Sequence, residues 1–191
     1  MRRIGIVLLL GLGICSARAQ HTTATLAELV ESAGTIVAGR VIAVREEPHP
    51  QYPYLIVTRV TLAVERSFKG NARGRTFTFS QIGGSKALRP VHVPGYREGE
   101  EVLLFLYPES RDGMTSPVAG AAGKFRIGVD PRTGQRVVTN GFDNWGLFDA
   151  PPRTDQALST AERALIAHHK RGPIAYETFV ALLTRWVNAS R

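Results

Sequence analysis

The chain has 191 residues, 24 Lys and Arg against 16 Asp and Glu, and one cysteine, Cys15. That length is enough for a domain that buries a core of its own, while a single cysteine excludes an internal disulfide and a cysteine-rich zinc site. The +8 net charge is dominated by arginine (20 Arg to 4 Lys) and interleaved with acidic residues along the chain, which gives no support to specific nucleic-acid recognition.

The N-terminus reads as a cleavable secretory signal over residues 1–19. Arg2 and Arg3 form a basic n-region, Ile4 to Ile14 an uncharged apolar h-region, and Ala17-Arg18-Ala19 a small-x-small cleavage pattern. Cleavage after Ala19 leaves Gln20 first, a net charge of +5 and no thiol, so a cysteine nucleophile is lost with the signal. An uncleaved anchor is the alternative, but a membrane span needs about 20 apolar residues. A lipid anchor on Cys15 is another, although Gly13-Ile14 fits its signal poorly. The expected destination is the periplasm or the medium, with no membrane span left after cleavage.

The mature chain is expected to open with a short helix. Thr25 and Glu28 make a capping box, with Leu26, Leu29 and Val30 on one face and Gly34 as the stop. A buried strand follows over Ile36–Val44. Residues 46–53 hold three prolines and read as a loop without regular structure. The alternation of Ile56, Val60, Leu62, Val64 and Phe68 predicts a long strand from Tyr54 to Phe68, with a bend or bulge in it. Lys69-Gly70-Asn71 turns the chain into a strand over Thr76–Gln81, which Gly83-Gly84 stops. The apolar run Val102–Tyr107 reads as the central strand, and Lys124–Val129 with Arg136–Phe142 as a hairpin.

Five to seven short strands with Gly and Pro turns favour a closed antiparallel barrel, with a sandwich as the alternative. The expected fold class is therefore mainly β with helical additions: a small OB-like barrel within residues 20–150 and a helical extension over 151–191 packed on it. Asn144–Gln156, with Pro151-Pro152, reads as a surface linker. Ser159 and Glu162 form a second capping box ahead of a helix ended by Gly172-Pro173. In the last helix, Ala175–Asn188, Phe179, Leu182, Leu183 and Trp186 form an apolar stripe to be covered by the domain itself or by a partner.

Residues 36–127 resemble a recurring exported bacterial domain of no established activity. The resemblance is carried by Gly39-Arg40-Val41, Phe68-Lys69-Gly70, Gly83-Gly84, Val93-Pro94-Gly95, Gly99-Glu100 with Val102–Leu106, and Gly123-Lys124-Phe125. It implies a small OB-type barrel similar to the inhibitory domain of tissue inhibitors of metalloproteinases and to netrin-like modules. Those inhibitors chelate zinc through an N-terminal cysteine. Here the mature chain starts at Gln20-His21, so that chemistry does not carry over.

Reactive constellations are sparse. No pair among His21, His49, His92, His168 and His169 has zinc-ligand spacing on a helix, and neither a G-x-S-x-G elbow nor a phosphate loop occurs. His168-His169 read as helix-end cations. Lys69 and Lys124, each beside a turn glycine, read as edge protection or an anion contact. The expected function is an exported, non-catalytic binding domain, without metal or cofactor, for an exported or envelope protein. In its inhibitor-like form the partner is a hydrolase. The expected contacts are Tyr52, Tyr54, Lys86, Arg89, His92 and Tyr96 in the loops 46–53 and 85–96, as OB-type barrels bind through loops. The alternatives are a hydrolase using His49, Glu47 and His92, and an envelope structural component held through Phe179 and Trp186.

Overall fold

The computed structural model describes residues 23–70, 72, 74–84, 93–150 and 158–189. Residues 1–19, read above as a secretory signal, Gln20-His21, Lys86, Arg89, His92 and the Pro151-Pro152 segment lie outside the described residues. In chain order the elements are α1 (Leu26–Ser32), β1 (Thr35–Pro48), β2 (Ile56–Lys69), β3 (Thr76–Ile82), β4 (Glu101–Leu106) and β5 (Lys124–Val129). They are followed by β6 (Arg136–Asn140), α2 (Thr160–His168), β7 (Ile174–Ala175) and α3 (Tyr176–Ala189).

Both capping boxes form as their sequences dictate. The Glu28 amide donates to Thr25 Oγ1 at 3.3 Å and the Thr25 amide to Glu28 Oε2 at 2.8 Å. Ser159 and Glu162 repeat the exchange at 3.2 and 2.6 Å. Lys69 Nζ donates to the Val30 carbonyl near the end of α1 at 2.9 Å, and Lys124 Nζ to the Gly95 carbonyl at 2.7 Å. Both lysines thus satisfy carbonyl oxygens inside the domain, where the sequence suggested edge protection or an anion contact.

β1 and β2 pair from Ile36↔Lys69 to Pro48↔Ile56, with register shifts at Ile36/Val37, Ala38/Gly39 and Val41/Ala43. Two of the shifts skip Phe68 and Glu65, so the bend or bulge expected in the Tyr54–Phe68 strand is found in β2; the third skips Ile42 in β1. Gly39 sits at one shift, where a Cβ would stand 2.3 Å from the Ala63 carbonyl oxygen, so only glycine lets β2 come this close. Residues 46–48 extend β1 instead of opening the loop. Pro48 is tolerated because β4 pairs with β1 only from Thr35 to Arg40, so the missing N–H faces no strand.

The strands form one antiparallel sheet in the order β3-β2-β1-β4-β5-β6-β7. It is open: β3 and the two-residue β7 are its edges, and no ladder joins them. The OB-like barrel, and with it the likeness to tissue inhibitors of metalloproteinases and netrin-like modules, is therefore overturned. The described residues combine three α-helices with a seven-stranded sheet. Ser80–Met114 and Leu106–Pro117 are isolated bridges from β3 and β4 to the chain after β4, without a closing ladder.

The physical reason lies in which faces are buried. A small barrel buries one face of each strand, so its residues alternate in and out. All of Val102 to Leu106 is buried, so both faces of β4 are covered. On one face Leu103, Phe105 and Phe125 join Leu26 and Leu29 of α1 and Phe179, Leu183 and Trp186 of α3. On the other, Val37, Val41, Leu62, Phe79, Val102 and Leu104 are covered by Tyr96 and Ala72. Helices and a loop bury the apolar surface that closure would have buried. Among the described residues no helix is long and apolar enough to cross a membrane.

The segment after β6 also differs from the expected surface linker. Asn144 is fully buried, and Leu147 and Phe148 enter the core. Asn140 and Asn144 exchange hydrogen bonds: each backbone amide donates to the other side chain's Oδ1 at 2.8 Å. The Asn144 amide group then donates to the Val138 and Gly172 carbonyls, both at 2.9 Å. Amide chemistry without periodicity holds this turn, and periodicity is what marks an element in a sequence.

Candidate binding surface at the hairpin tip

The tip of the β1–β2 hairpin is held from within. His49 is buried, and its amide donates to the Leu55 carbonyl at 2.7 Å while the Leu55 amide donates to the Tyr52 carbonyl at 2.8 Å. His49 Nδ1 accepts from the Gln51 and Tyr52 amides at 3.2 and 3.3 Å. The proton therefore sits on Nε2, which donates to the Asp112 carbonyl at 3.0 Å. One neutral imidazole fixes the turn and ties it to the loop after β4.

Aromatic rings continue outward from this anchor. Tyr52 stacks on His49 with centroids 5.2 Å apart, and Tyr54 lies 6.2 Å from Tyr52 at 56°. Tyr54 is 85% exposed and Tyr52 39%. A tyrosine carries a large contact area with few rotatable bonds, and here the backbone beneath is already ordered, which lowers the entropy lost on binding. Beside the tip a cleft of about 350 Å³ is lined by His49, Gln51, Arg59, Ser80, Glu109 and Asp112, among others. Arg59 donates to Glu47 at 2.7 Å. Glu109 and Asp112 form no ion pair among the described residues.

The other expected contact residues are placed differently. Tyr96 is buried, edge-on to Phe79 at 5.5 Å, with Lys124 Nζ 4.4 Å from its ring centroid. Burial, with Glu100 nearby, pushes its hydroxyl far above the ordinary tyrosine value, and that hydroxyl has no hydrogen-bond partner among the described residues. Lys124 pairs with Glu100 at 2.8 Å, and burial pulls its ammonium down despite that partner. Phe179 and Trp186 lie in the core, so the chain's own sheet and helices cover the α3 stripe. Lys86, Arg89 and His92 lie outside the described residues, so of the trio His49, Glu47 and His92 only the first two can be placed. No three His, Cys, Asp or Glu side chains among the described residues are grouped to hold a metal.

A charged cluster lies on the helical side of the sheet. Arg136 binds Glu65 through two hydrogen bonds at 2.9 and 2.8 Å, although β1, β4 and β5 separate their strands. Tyr176 lies beneath, its hydroxyl 3.3 Å from Glu65 and the Arg136 guanidinium 4.2 Å from its ring centroid. The Arg136 hydrogen bond holds the Glu65 carboxyl below the usual value, and burial raises the Tyr176 hydroxyl to about 12. The cluster ties α3 to the sheet.

Two exposed features escaped the sequence reading. Trp145 is 55% exposed on the turn locked by Asn140 and Asn144, and Tyr107 is 42% exposed after β4. The positive φ of Asp143 and Asn144 favours Asn and Asp, which made the Asp143-Asn144 pair the available signal. The chain matches no protein-family model, no curated protein and no solved structure.

Proposed function

We propose that this chain is an exported, non-catalytic binding domain whose β1–β2 hairpin tip recognises another exported or envelope protein. The observation that carries the reading is the pre-ordered tip itself, with Tyr52 stacked on a buried His49 and Tyr54 tilted against Tyr52 beside a cleft. Exposed aromatics on a rigid support are the residues that dominate protein interfaces. Export rests on the n-region, h-region and cleavage pattern of residues 1–19. The inhibitor-like form drew its support from the barrel, and the open sheet leaves it without that support.

The hydrolase alternative needs a histidine free to move a proton. Both ring nitrogens of His49 are committed to backbone groups, and Glu47 is bound to Arg59. An envelope role through α3 needs an uncovered stripe, yet Phe179 and Trp186 are buried.

The test is affinity capture from the host's exported fractions with the chain from Gln20 to Arg191, beside a Tyr52→Ser/Tyr54→Ser double variant. The same partner, stoichiometric with the unmodified chain and depleted by about tenfold with the variant, supports the reading. Equal capture by both forms removes the tip from recognition.

A further inference from the structure

β3 is an edge of the sheet, and its backbone is engaged on one side along most of its length. The Ser80 carbonyl accepts from the Thr115 amide at 2.9 Å, so it points away from β2. Backbone direction alternates along a strand, so Thr76 and Thr78 also turn their N–H and C=O groups outward. The Arg75 carbonyl, one residue out of phase, accepts from the Val64 amide of β2 at 2.9 Å and fixes the same parity. Among the described residues no strand meets Thr76 or Thr78 on the outer side.

A cavity of about 250 Å³ lies there, between β3 and the chain leaving β4, lined by Phe77, Phe79, Leu106, Tyr107, Pro108 and Glu109. Glu109 also lines the cleft beside the hairpin tip, as does Asp112, so two carboxylates without ion-pair partners among the described residues border one seam. β3 itself, Thr76–Ile82, contains no charge, proline or glycine, the features with which sheet edges ordinarily resist pairing.

The geometry points to a β-augmentation site: an extended segment of a partner pairs with the outward backbone of Thr76 and Thr78. It sets a bulky apolar side chain in the cavity and a basic one against Glu109. Main-chain hydrogen bonds give such a site affinity, and side-chain pockets beside them give specificity. The seam has a second wall at Tyr107 and Pro108, which suits a single strand. A second copy of this chain would have to bring its β2 into the same space along with its β3. The inference rests on the reading of the chain as a binding domain and adds a surface that is tested apart from Tyr52 and Tyr54.

The experiment measures fluorescence anisotropy of the chain from Gln20 to Arg191 with a labelled six-residue peptide of alternating threonine and phenylalanine flanked by lysines. Two comparison peptides carry N-methyl groups on alternate amides, or glutamates in place of the lysines. The lysine peptide is expected to bind, with about a tenfold loss on N-methylation and a clear loss with glutamates. Thr78→Pro removes the outward N–H at an edge position that tolerates proline and is expected to abolish binding. Glu109→Lys, on an exposed side chain, is expected to reverse the charge preference, and serves if the proline variant does not fold. Tyr54→Ser is expected to leave this binding unchanged. Equal affinity for the N-methylated peptide, or no binding of any peptide, overturns the assignment. Self-association that Thr78→Pro abolishes also overturns it, by giving the edge to a second copy.

Discussion

Replacing Asn144 with alanine tests whether the turn after β6 is a structural lock. The substitution leaves the Asn140 amide and the Val138 and Gly172 carbonyls without their present partners. Each such loss costs about 1 kcal/mol at the low end of the range for buried groups, or about 3 kcal/mol together. Asn144 has φ 56°, where alanine costs about 1 kcal/mol more. The total, about 4 kcal/mol, is a large share of the roughly 5–15 kcal/mol that holds a domain together. Asn144→Gly removes the backbone strain and keeps the hydrogen-bond losses, so it is expected to cost about 1 kcal/mol less than alanine. Urea unfolding followed by far-UV circular dichroism reads both, with thermal midpoints lowered by about 2–4 °C per kcal/mol. A loss under about 1 kcal/mol for Asn144→Ala, or glycine no better than alanine, would refute the reasoning.

Gly39→Ala places a methyl carbon 2.3 Å from the Ala63 carbonyl oxygen, so the β1–β2 hairpin must shift. A loss of about 2 kcal/mol in urea unfolding is expected, and a neutral result would mean that the register shift is soft. Burial pulls the His169 imidazole below its ordinary value of 6.5, with Asp143 opposing. The unfolded chain therefore binds more protons there, so this contribution to stability is complete above pH 6.5 and is lost as pH falls below it. Unfolding free energy measured between pH 7 and 5.5 should decline, and His169→Phe should flatten that slope; an unchanged slope would reject the assignment.

Local chemistry was legible in the sequence where one rule acted alone. Thr25/Glu28 and Ser159/Glu162 cap helices because the exchange needs only residues three apart. β2 follows from its alternation. The barrel did not follow, because strand count and turn residues are shared by open and closed sheets. The discriminating signal was the unbroken apolar run of β4, which requires cover on both faces. Tyr96 looked like a loop contact for a related reason: its segment has no period, and only tertiary packing reveals it as the lid of the second core face. Tyr52 and Tyr54 were legible as loop aromatics. The buried imidazole that orders them was not, since His49 reads from sequence as a solvated loop residue or a catalytic candidate, and neither reading places it beneath the turn.

Contact at the hairpin tip is measured most directly by site-specific photocrosslinking in the host. A photoreactive phenylalanine analogue replaces Tyr54, and in a control chain it replaces Val129, which is 62% exposed at the end of β5. One discrete adduct from position 54 and none from position 129 is the predicted result. Equal adducts from both positions, or an adduct from position 129 alone, would contradict recognition through the β1–β2 tip.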